Sequence, residues 1–392
     1  MMSKMRLSFI GSLVTVAMVS LMLTGCGSTP SASDSKEIKI GGNIEMTGGV
    51  ANYGKATKNG IELAFKEANA AGGVLGKQLK LIVADNKSEP SEATNAITKL
   101  ITQDKVSVVL GPIASSNVLA TLQVGQDNKV PVVTATGTNT KITVDENGKV
   151  KPYAFRSCFI DPFQGTVMAN FATKSLNAKT AVIYVDNSSD YSKGLAESFE
   201  AQFVKNGGTI VGKEAFLQKD QDFKSTLTKI KVMNADTIFI PAYYEEVGKI
   251  AKQARELGIS IPLIGTDGWD DPKVVEVAGA AALNNTFFST HYSSQDTDPR
   301  IVKFVAAYKQ EYGEEPNALA ALGYDGALMV IDAIKRANST EPSKIRDALE
   351  QTKDLQVVTG IITLDASHNP IKSGVVIEMK DGKQSFKEKI NP

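Results

Sequence analysis

Downstream of residue 36, short runs rich in β-branched residues alternate with longer segments of helical periodicity. Residues 38–44 alternate Ile with polar residues or Gly, which predicts a strand. Apolar residues then recur at i, i+3, i+4 and i+7 from Ile61 to Ala68, and Gly72 follows as a stop signal, which predicts a helix. The same pattern predicts strands near residues 79–84, 106–110, 130–134, 181–185, 209–216, 237–240 and 262–265, and helices near 93–101, 192–205, 223–231 and 247–257.

Two such series of strands and helices occur in a chain of 392 residues, which is too long for one compact core. Strands that alternate with crossover helices form parallel sheets with helices on both faces. The pattern therefore predicts an α/β protein with two doubly wound parallel-sheet lobes and a cleft between them.

The first 26 residues carry a targeting pattern. Two basic residues precede an uncharged run at 7–23, and the sequence Leu-Thr-Gly-Cys ends at Cys26. This order is typical of a secretory signal peptide. We expect residues 1–25 to be a lipoprotein signal peptide, Cys26 to be lipidated, and the small polar residues 26–36 to form a flexible linker. The alternative is a membrane-spanning helix, for which the run is at the short limit. The prediction is an extracytoplasmic protein that a lipid anchors to the cell membrane.

Charge and cysteine content exclude several classes of protein. The chain carries 43 Lys plus Arg and 43 Asp plus Glu, so no excess positive charge exists to bind nucleic acid. Two Cys and two His form no cluster with zinc-ligand spacing, and we expect no metal. With Cys26 lipidated, Cys158 lacks a disulfide partner and is expected to pack as a small apolar residue.

Catalytic and cofactor motifs are also missing from the sequence. Residues 72–77 resemble a phosphate-binding loop, but Gln78 stands where that loop needs Ser or Thr. The chain has no Gly-x-Ser-x-Gly motif and no Cys close to a His. We interpret His291 and His368 as loop or hinge residues, and we expect neither a cofactor nor enzyme activity.

Candidate ligand groups occur in turns at the carboxyl ends of predicted strands, where open parallel sheets bind ligands. Residues 111–116 follow a strand and open a helix, so hydroxyls and backbone N–H groups there suit a carboxylate. The alternative is that Ser115 or Ser116 caps the helix. Residues 134–138 add hydroxyls on the same edge. Asp267 follows a strand of the second series and is a candidate partner for an ammonium group, or else part of a plain Asp-Gly turn.

Six segments carry a family resemblance. In these segments the sequence resembles the leucine/isoleucine/valine-binding protein family, the amino-acid-binding branch of the type I periplasmic-binding-protein-like folds. They lie at residues 47–54, 69–76, 111–116, 190–194, 220–227 and 267–268.

The resemblance implies roles for individual side chains. Ser115 and Thr138 would bind the ligand carboxylate, with help from the backbone around Ala114 and Thr136. Asp267 would bind the α-ammonium group, where the family often has Glu. The remaining expected residues line the pocket with aromatic rings, and they are Tyr53, Tyr191 and Tyr243. Trp269 lies two residues beyond Asp267 and is expected to affect the pocket size.

The resemblance also implies a domain arrangement and a function. Lobe one is expected at 37–157 and 292–358, and lobe two at 158–291 and 359–392, with three crossings. A monomer would close on a free amino acid and present it to an ABC permease and its ATPase. The expected ligands are the branched-chain amino acids leucine, isoleucine and valine. Three alternatives stay open. The first is a protein of the same fold that binds another ligand: another amino acid, an amide or a sugar. The second is a sensory surface protein, and the third is an exported hydrolase.

Overall fold

The computed structural model describes residues 36–391. The predicted signal peptide and lipidation site, and all but the last residue of the predicted linker, lie outside the described residues. Within 36–391, no helix is both long enough and apolar enough to cross a membrane.

The strands form two large sheets and one small one. The first sheet is parallel throughout, in the order β2-β1-β3-β4-β5, and the second has the order β14-β13-β10-β9-β8-β6-β7. The strands of the first sheet are β1 (Glu37–Ile44), β2 (Gln78–Asp85), β3 (Val109–Leu110), β4 (Val132–Thr134) and β5 (Ala154–Arg156). Those of the second are β6 (Thr180–Asp186), β7 (Thr209–Phe216), β8 (Thr237–Phe239), β9 (Leu263–Gly265), β10 (Thr286–Thr290), β13 (Gly374–Lys380) and β14 (Lys383–Ile390), while β11 (Leu355–Val357) pairs with β12 (Gly360–Ile362).

Helices connect the strands. The α-helices are α1 (Ala51–Ala70), α2 (Pro90–Thr102), α3 (Ser115–Asn128), α4 (Asp161–Lys174), α5 (Asp190–Lys205), α6 (Lys224–Val232), α7 (Tyr244–Glu256), α8 (Lys273–Ala278), α9 (Pro299–Tyr312), α10 (Ala318–Ala337) and α11 (Pro342–Glu350). Short 3₁₀ turns occur at Thr140–Ile142, Asp267–Trp269 and Ala280–Leu283.

The predicted class, two α/β lobes with parallel sheets, is confirmed. Two details differ from the pattern. The strand expected at 106–110 is only Val109–Leu110, because the N–H of Val106 bonds back to the carbonyl of Leu100 at the end of α2. The second sheet is mixed, because β13 runs antiparallel to both β10 and β14.

The first sheet is covered by helices from both halves of the chain. Helix α1 contacts β1 and β2, and α10 contacts β4 and packs along α1. The α1–α10 contact needs a glycine, because a Cβ on Gly60 would lie 2.0 Å from the carbonyl oxygen of Ala320. A side chain there would force the two helices apart.

The chain passes between the two large sheets through three segments, at 157–160, 291–298 and 363–373. The first and third of these crossings are tied together by Lys372, a buried side chain whose Nζ donates to the carbonyl of Ser157 at 3.0 Å and lies 3.6 Å from Asp325. The hairpin β11–β12 precedes the third crossing, and the Thr359 hydroxyl beside it donates to Asp325 on α10. The lobe boundaries predicted from the sequence stay a proposal.

Candidate functional site

The loops that follow strands of the two sheets meet at one place. Tyr53, on α1, packs edge to face against Tyr243 and Tyr244, which follow β8. The side chain of Asn139, after β4, donates to the carbonyl of Asp190 at the start of α5, 2.8 Å away. Loops of the two lobes are therefore in direct contact around the site.

A cavity between these loops brings together seven of the eight expected ligand residues. Thr138 is not among its lining residues, and its buried hydroxyl oxygen has no hydrogen-bond partner. Ile113, Gly268 and Leu319 also line the cavity and were missed by the sequence analysis. Leu319 enters from α10, a helix that no ligand motif marks. The expected residues in the lining are Tyr53, Ala114, Ser115, Thr136, Tyr191, Tyr243 and Asp267.

The start of α3 forms one wall. The helix begins at Ser115 after Ala114, and no side chain caps it, so neither Ser115 nor Ser116 has the capping role considered as the alternative. The hydroxyl oxygen of Ser115 instead accepts from the N–H of Asn139 at 3.3 Å. Its own hydrogen is free for a ligand, because an alcohol donates and accepts at once.

Part of the anion-binding backbone before α3 already holds a protein carboxylate. Glu45, fully buried after β1, accepts from the N–H groups of Ile113 at 3.0 Å and Ala114 at 3.1 Å and from the amide of Asn117 at 2.8 Å. Burial raises the pKa of Glu45, and these donors oppose the rise. The N–H of Ala114 is therefore engaged, and a ligand carboxylate depends on the hydroxyls and the first N–H groups of the helix itself.

The loop after β4 orients two threonines differently. The hydroxyl of Thr136 donates to the carbonyl of Ile113 at 2.8 Å, which fixes this side chain against the loop before α3. The carbonyl of Thr138 accepts from the N–H of Asp161 at 3.0 Å, while its hydroxyl is unpaired. Thr136 thus shapes the wall, and Thr138 keeps hydrogen-bonding capacity.

Asp267 supplies the carboxylate of the second lobe. It begins the 3₁₀ turn after β9 and is only 6% exposed. Its Oδ1 accepts from the Tyr191 hydroxyl at 2.7 Å, its Oδ2 shares a hydrogen bond with His291 Nε2 at 2.8 Å, and its N–H donates to Gln164 at 3.1 Å. A side chain held on both oxygens and exposed to the cavity is more than part of an Asp-Gly turn.

Three tyrosines form the aromatic wall. Tyr191 and Tyr243 stack in parallel with ring centroids 4.9 Å apart, and Tyr53 meets Tyr243 edge to face at 5.7 Å. The Tyr53 hydroxyl donates to the carbonyl of Gly268 and accepts from the N–H of Tyr244 at 3.1 Å. Burial raises the pKa of all three hydroxyls well above the usual value, so they stay protonated. The wall is therefore apolar in its faces and hydrogen-bonding at its edges.

The neighbours of Asp267 leave room for these rings. A Cβ on Gly268 would lie 2.6 Å from the carbonyl oxygen of Ala242 and 2.9 Å from the Tyr191 hydroxyl, so only glycine fits. Trp269 is buried, donates from Nε1 to the carbonyl of Ile240 at 2.9 Å and does not line the cavity. The expectation that it affects the pocket size is therefore not supported by its position.

The buried cysteine of the described chain is separate from the cavity lining. In the part of the chain that the structure describes, no group of three His, Cys, Asp or Glu side chains is arranged to hold a metal ion. Cys158 is a free, buried thiol, and burial raises its pKa to about 12. It packs as the sequence analysis expected.

A family model described as periplasmic binding protein matches residues 37–384. The chain is 29% identical to the Leu/Ile/Val-binding protein BraC3 of Rhizobium johnstonii over 328 residues, which is 83% of this chain and 87% of that protein. It is 25% identical to a leucine-, isoleucine-, valine-, threonine- and alanine-binding protein of Pseudomonas aeruginosa over 88% of this chain and 90% of that one.

Solved structures agree with these relatives. The leucine-binding protein LivK of Thermotoga maritima has 39% identity and a TM-score of 0.85, covering 91% of this chain and 99% of that one. The branched-chain amino acid transporter substrate-binding protein LivJ of Streptococcus pneumoniae, solved with isoleucine, gives the same identity and TM-score over 91% and 100%. A solute-binding protein of R. palustris, solved with benzoate, has a TM-score of 0.83 at 23% identity, which shows a shared fold alone.

Proposed function

Because the chain belongs to the periplasmic binding protein family, among the substrate-binding proteins of branched-chain amino acid ABC transporters, we propose that it captures a free branched-chain amino acid. Leucine, isoleucine or valine would bind between the two lobes and be delivered to a permease. The relatives are binding proteins and not enzymes, and the proposed role involves no chemical change to the ligand.

The observation that carries the proposal is that one cavity holds both a carboxylate and a hydroxyl that can donate a hydrogen bond. Asp267 offers a carboxylate from the second lobe, and Ser115 offers a hydroxyl at the start of α3 in the first. A zwitterionic amino acid has an ammonium group that can bind Asp267 and a carboxylate that can accept from Ser115. Buried polar groups need such partners, because an unpaired one costs about 1–3 kcal/mol.

The rest of the lining favours an aliphatic side chain. Tyr53, Tyr243, Ile113 and Leu319 present apolar surface, and none of the lining residues other than Asp267 is charged. A charged or strongly polar ligand side chain would lose its hydration without compensation. Leucine, isoleucine and valine avoid this penalty and gain about 25 cal/mol per Å² of apolar surface removed from water.

The competing ligands on the same fold lack one of these features. Benzoate, the ligand of one fold neighbour, has a carboxylate but no ammonium group, so the negative charge of Asp267 would be buried with no positive charge to balance it. A sugar has no group of opposite charge for Asp267, and the single Trp of the chain is in the core, not in the cavity.

Delivery and anchoring complete the proposal. Lipid on Cys26 would hold the extracytoplasmic protein at the cell membrane, and residues 26–36 would let the lobes reach a permease that has its own ATPase. The proposed functional unit is a monomer.

Titration calorimetry of the purified protein tests the ligand assignment. The panel is leucine, isoleucine and valine, with 4-methylpentanoate, benzoate and ribose as controls: the first lacks only the ammonium group, benzoate also lacks the aliphatic side chain, and ribose lacks both charged groups. Saturable heat with the three amino acids, and at least tenfold weaker binding of the controls, is the expected result. Tighter binding of benzoate or ribose than of every amino acid would overturn the proposal.

A further inference from the structure

His291 links the proposed ligand site to the segments that join the two lobes. It directly follows β10, at the start of the second crossing, and is 3% exposed. Its Nε2 lies 2.8 Å from Asp267 Oδ2. Its ring stacks on Phe159 of the first crossing, with centroids 3.6 Å apart and planes 14° apart. One side chain thus contacts both the proposed ammonium-binding carboxylate and the first crossing.

Phe159, which His291 contacts, lies where the three crossings approach one another. A Cβ added to Gly374, where the chain re-enters the second sheet after the third crossing, would lie 3.4 Å from the Phe159 ring. The rings of Phe159 and Phe163 also pack together, with centroids 5.2 Å apart. All three crossings therefore approach one another at Phe159, and His291 lies against it.

The imidazole acts as a neutral donor. Burial lowers the pKa of His291, although hydrogen bonding to Asp267 opposes this. The charged groups that act on it are Asp267, Asp270 and Lys372, and its Nδ1 is buried without a partner. A neutral ring with hydrogen on Nε2 donates to Asp267 and leaves the negative charge of the carboxylate uncancelled.

We propose that His291 is a positioning residue that keeps the Asp267 carboxylate aimed at the ligand, and so sets the preference for ligands that carry an α-ammonium group. The proposal rests on the proposed function. Tyr191 holds one oxygen of Asp267 and His291 the other, so the carboxylate cannot rotate away without losing a bond. Without the imidazole donor, one oxygen of this buried carboxylate would lose its hydrogen-bond partner, and the side chain would no longer be held in one orientation.

Two substitutions separate the two contacts of His291. His291→Phe keeps a ring to stack on Phe159 and removes the donor. His291→Gln removes the ring and places an amide N–H close to the position of Nε2. We expect His291→Phe to weaken leucine binding at least tenfold, and His291→Gln to stay within about threefold of wild type.

A ligand without the ammonium group distinguishes positioning from general damage. The affinity for 4-methylpentanoate, measured by competition, should change less than about threefold in both variants, because this ligand does not use Asp267. Thermal unfolding without ligand checks that each variant folds. If His291→Phe does not fold, His291→Asn replaces it, because its shorter amide withdraws the donor from Asp267 and should weaken leucine binding at least tenfold.

The possible results are distinct. Unchanged leucine binding by His291→Phe, equal loss of leucine and 4-methylpentanoate, or equal loss in the Phe and Gln variants would overturn this inference while the proposed function stands. A wild-type protein that binds none of the amino acids would overturn both.

Discussion

Ser116 and Asp190 hydrogen-bond to each other in both directions. The Ser116 hydroxyl donates to Asp190 Oδ2 at 3.0 Å and accepts from the N–H of Asp190 at 3.1 Å. The two residues lie in the first turns of α3 and α5. Helix α3 packs against the first sheet and α5 against the second. A binding site between two lobes needs contacts that exist only when the lobes meet, and this pair is one of them.

Removing this pair should weaken ligand binding without touching the ligand. Ser116 does not line the ligand cavity, so Ser116→Ala acts only through lobe closure. We expect the Kd for leucine to rise about 3- to 10-fold, which corresponds to the net worth of a hydrogen bond. The change should appear mainly as a faster dissociation rate in stopped-flow measurements.

The matched control is another contact between the same lobes. Lys219 and Glu89 form an ion pair at 2.7 Å, but their side chains are 72% and 48% exposed. Exposed pairs contribute little because water and salt screen their charges, so Lys219→Met should change the Kd less than about threefold. Equal effects of the two substitutions would argue against a role for the Ser116–Asp190 pair in closure.

Asp267→Asn should cause the largest loss of amino-acid affinity. The variant keeps the shape of the side chain but leaves the ligand ammonium buried opposite a neutral group, a penalty of about 3–5 kcal/mol. Calorimetry should therefore show leucine binding at least a hundredfold weaker. Asp222→Asn is the control, because Asp222 is exposed and does not line the cavity. An Asp267→Asn protein that binds leucine within threefold of wild type would remove the electrostatic basis of the ligand assignment.

The type and position of many single strands and helices could be predicted from the sequence, because they depend on residues that are close together in the chain. The strand at 209–216 is found as β7, Thr209–Phe216, since its alternation and its flanking turns are local. The residues after 265 carry weaker signals, and the antiparallel strands β13 and β14 were not predicted. Antiparallel pairing with β10 joins segments that are far apart in the sequence, and no local period indicates it.

The candidate site shows the same limit. Single positions such as Ser115 and Asp267 follow strands and could be proposed from that place alone. The partners that hold them could not. Glu45 binds the backbone before α3 from 68 and 69 positions away, and His291 reaches Asp267 from 24 positions away. Such pairs follow from the topology of the folded chain and carry no short-range sequence signal.

Cys26→Ala should release the protein from the membrane. The proposed lipid anchor forms on the Cys26 thiol, which alanine lacks. We expect the wild-type protein to fractionate with membranes and to require detergent for extraction, and the variant to be extracted without detergent. Cys158→Ala is the matched control, because that buried thiol has no proposed role in anchoring. A Cys26→Ala protein that still needs detergent after signal-peptide cleavage would contradict the anchor.

Asp161 makes the stability of the protein depend on pH. This side chain begins α4, is 1% exposed, and neither of its carboxylate oxygens has a hydrogen-bond partner. Burial raises its pKa to about 8, despite the nearby Thr138 hydroxyl and the Arg156 guanidinium, which both lower it. The folded protein therefore holds a proton at pH 7 that the unfolded chain, with a carboxyl pKa of about 3.9, releases.

The sign of the effect follows from linkage. Because the folded pKa is raised, the contribution of Asp161 to stability is complete below about pH 4 and is lost as the pH rises through about 8. Asp161→Asn is neutral at every pH, so the difference in unfolding free energy, variant minus wild type, should grow by up to about 1.4 kcal/mol per pH unit between pH 5 and 7. Urea unfolding at several pH values measures this difference. Asp127→Asn, at an exposed position, is measured in the same way as the control. A difference for Asp161→Asn that does not change with pH would mean that the buried carboxyl is ionised in the folded protein, and that Arg156 compensates its charge.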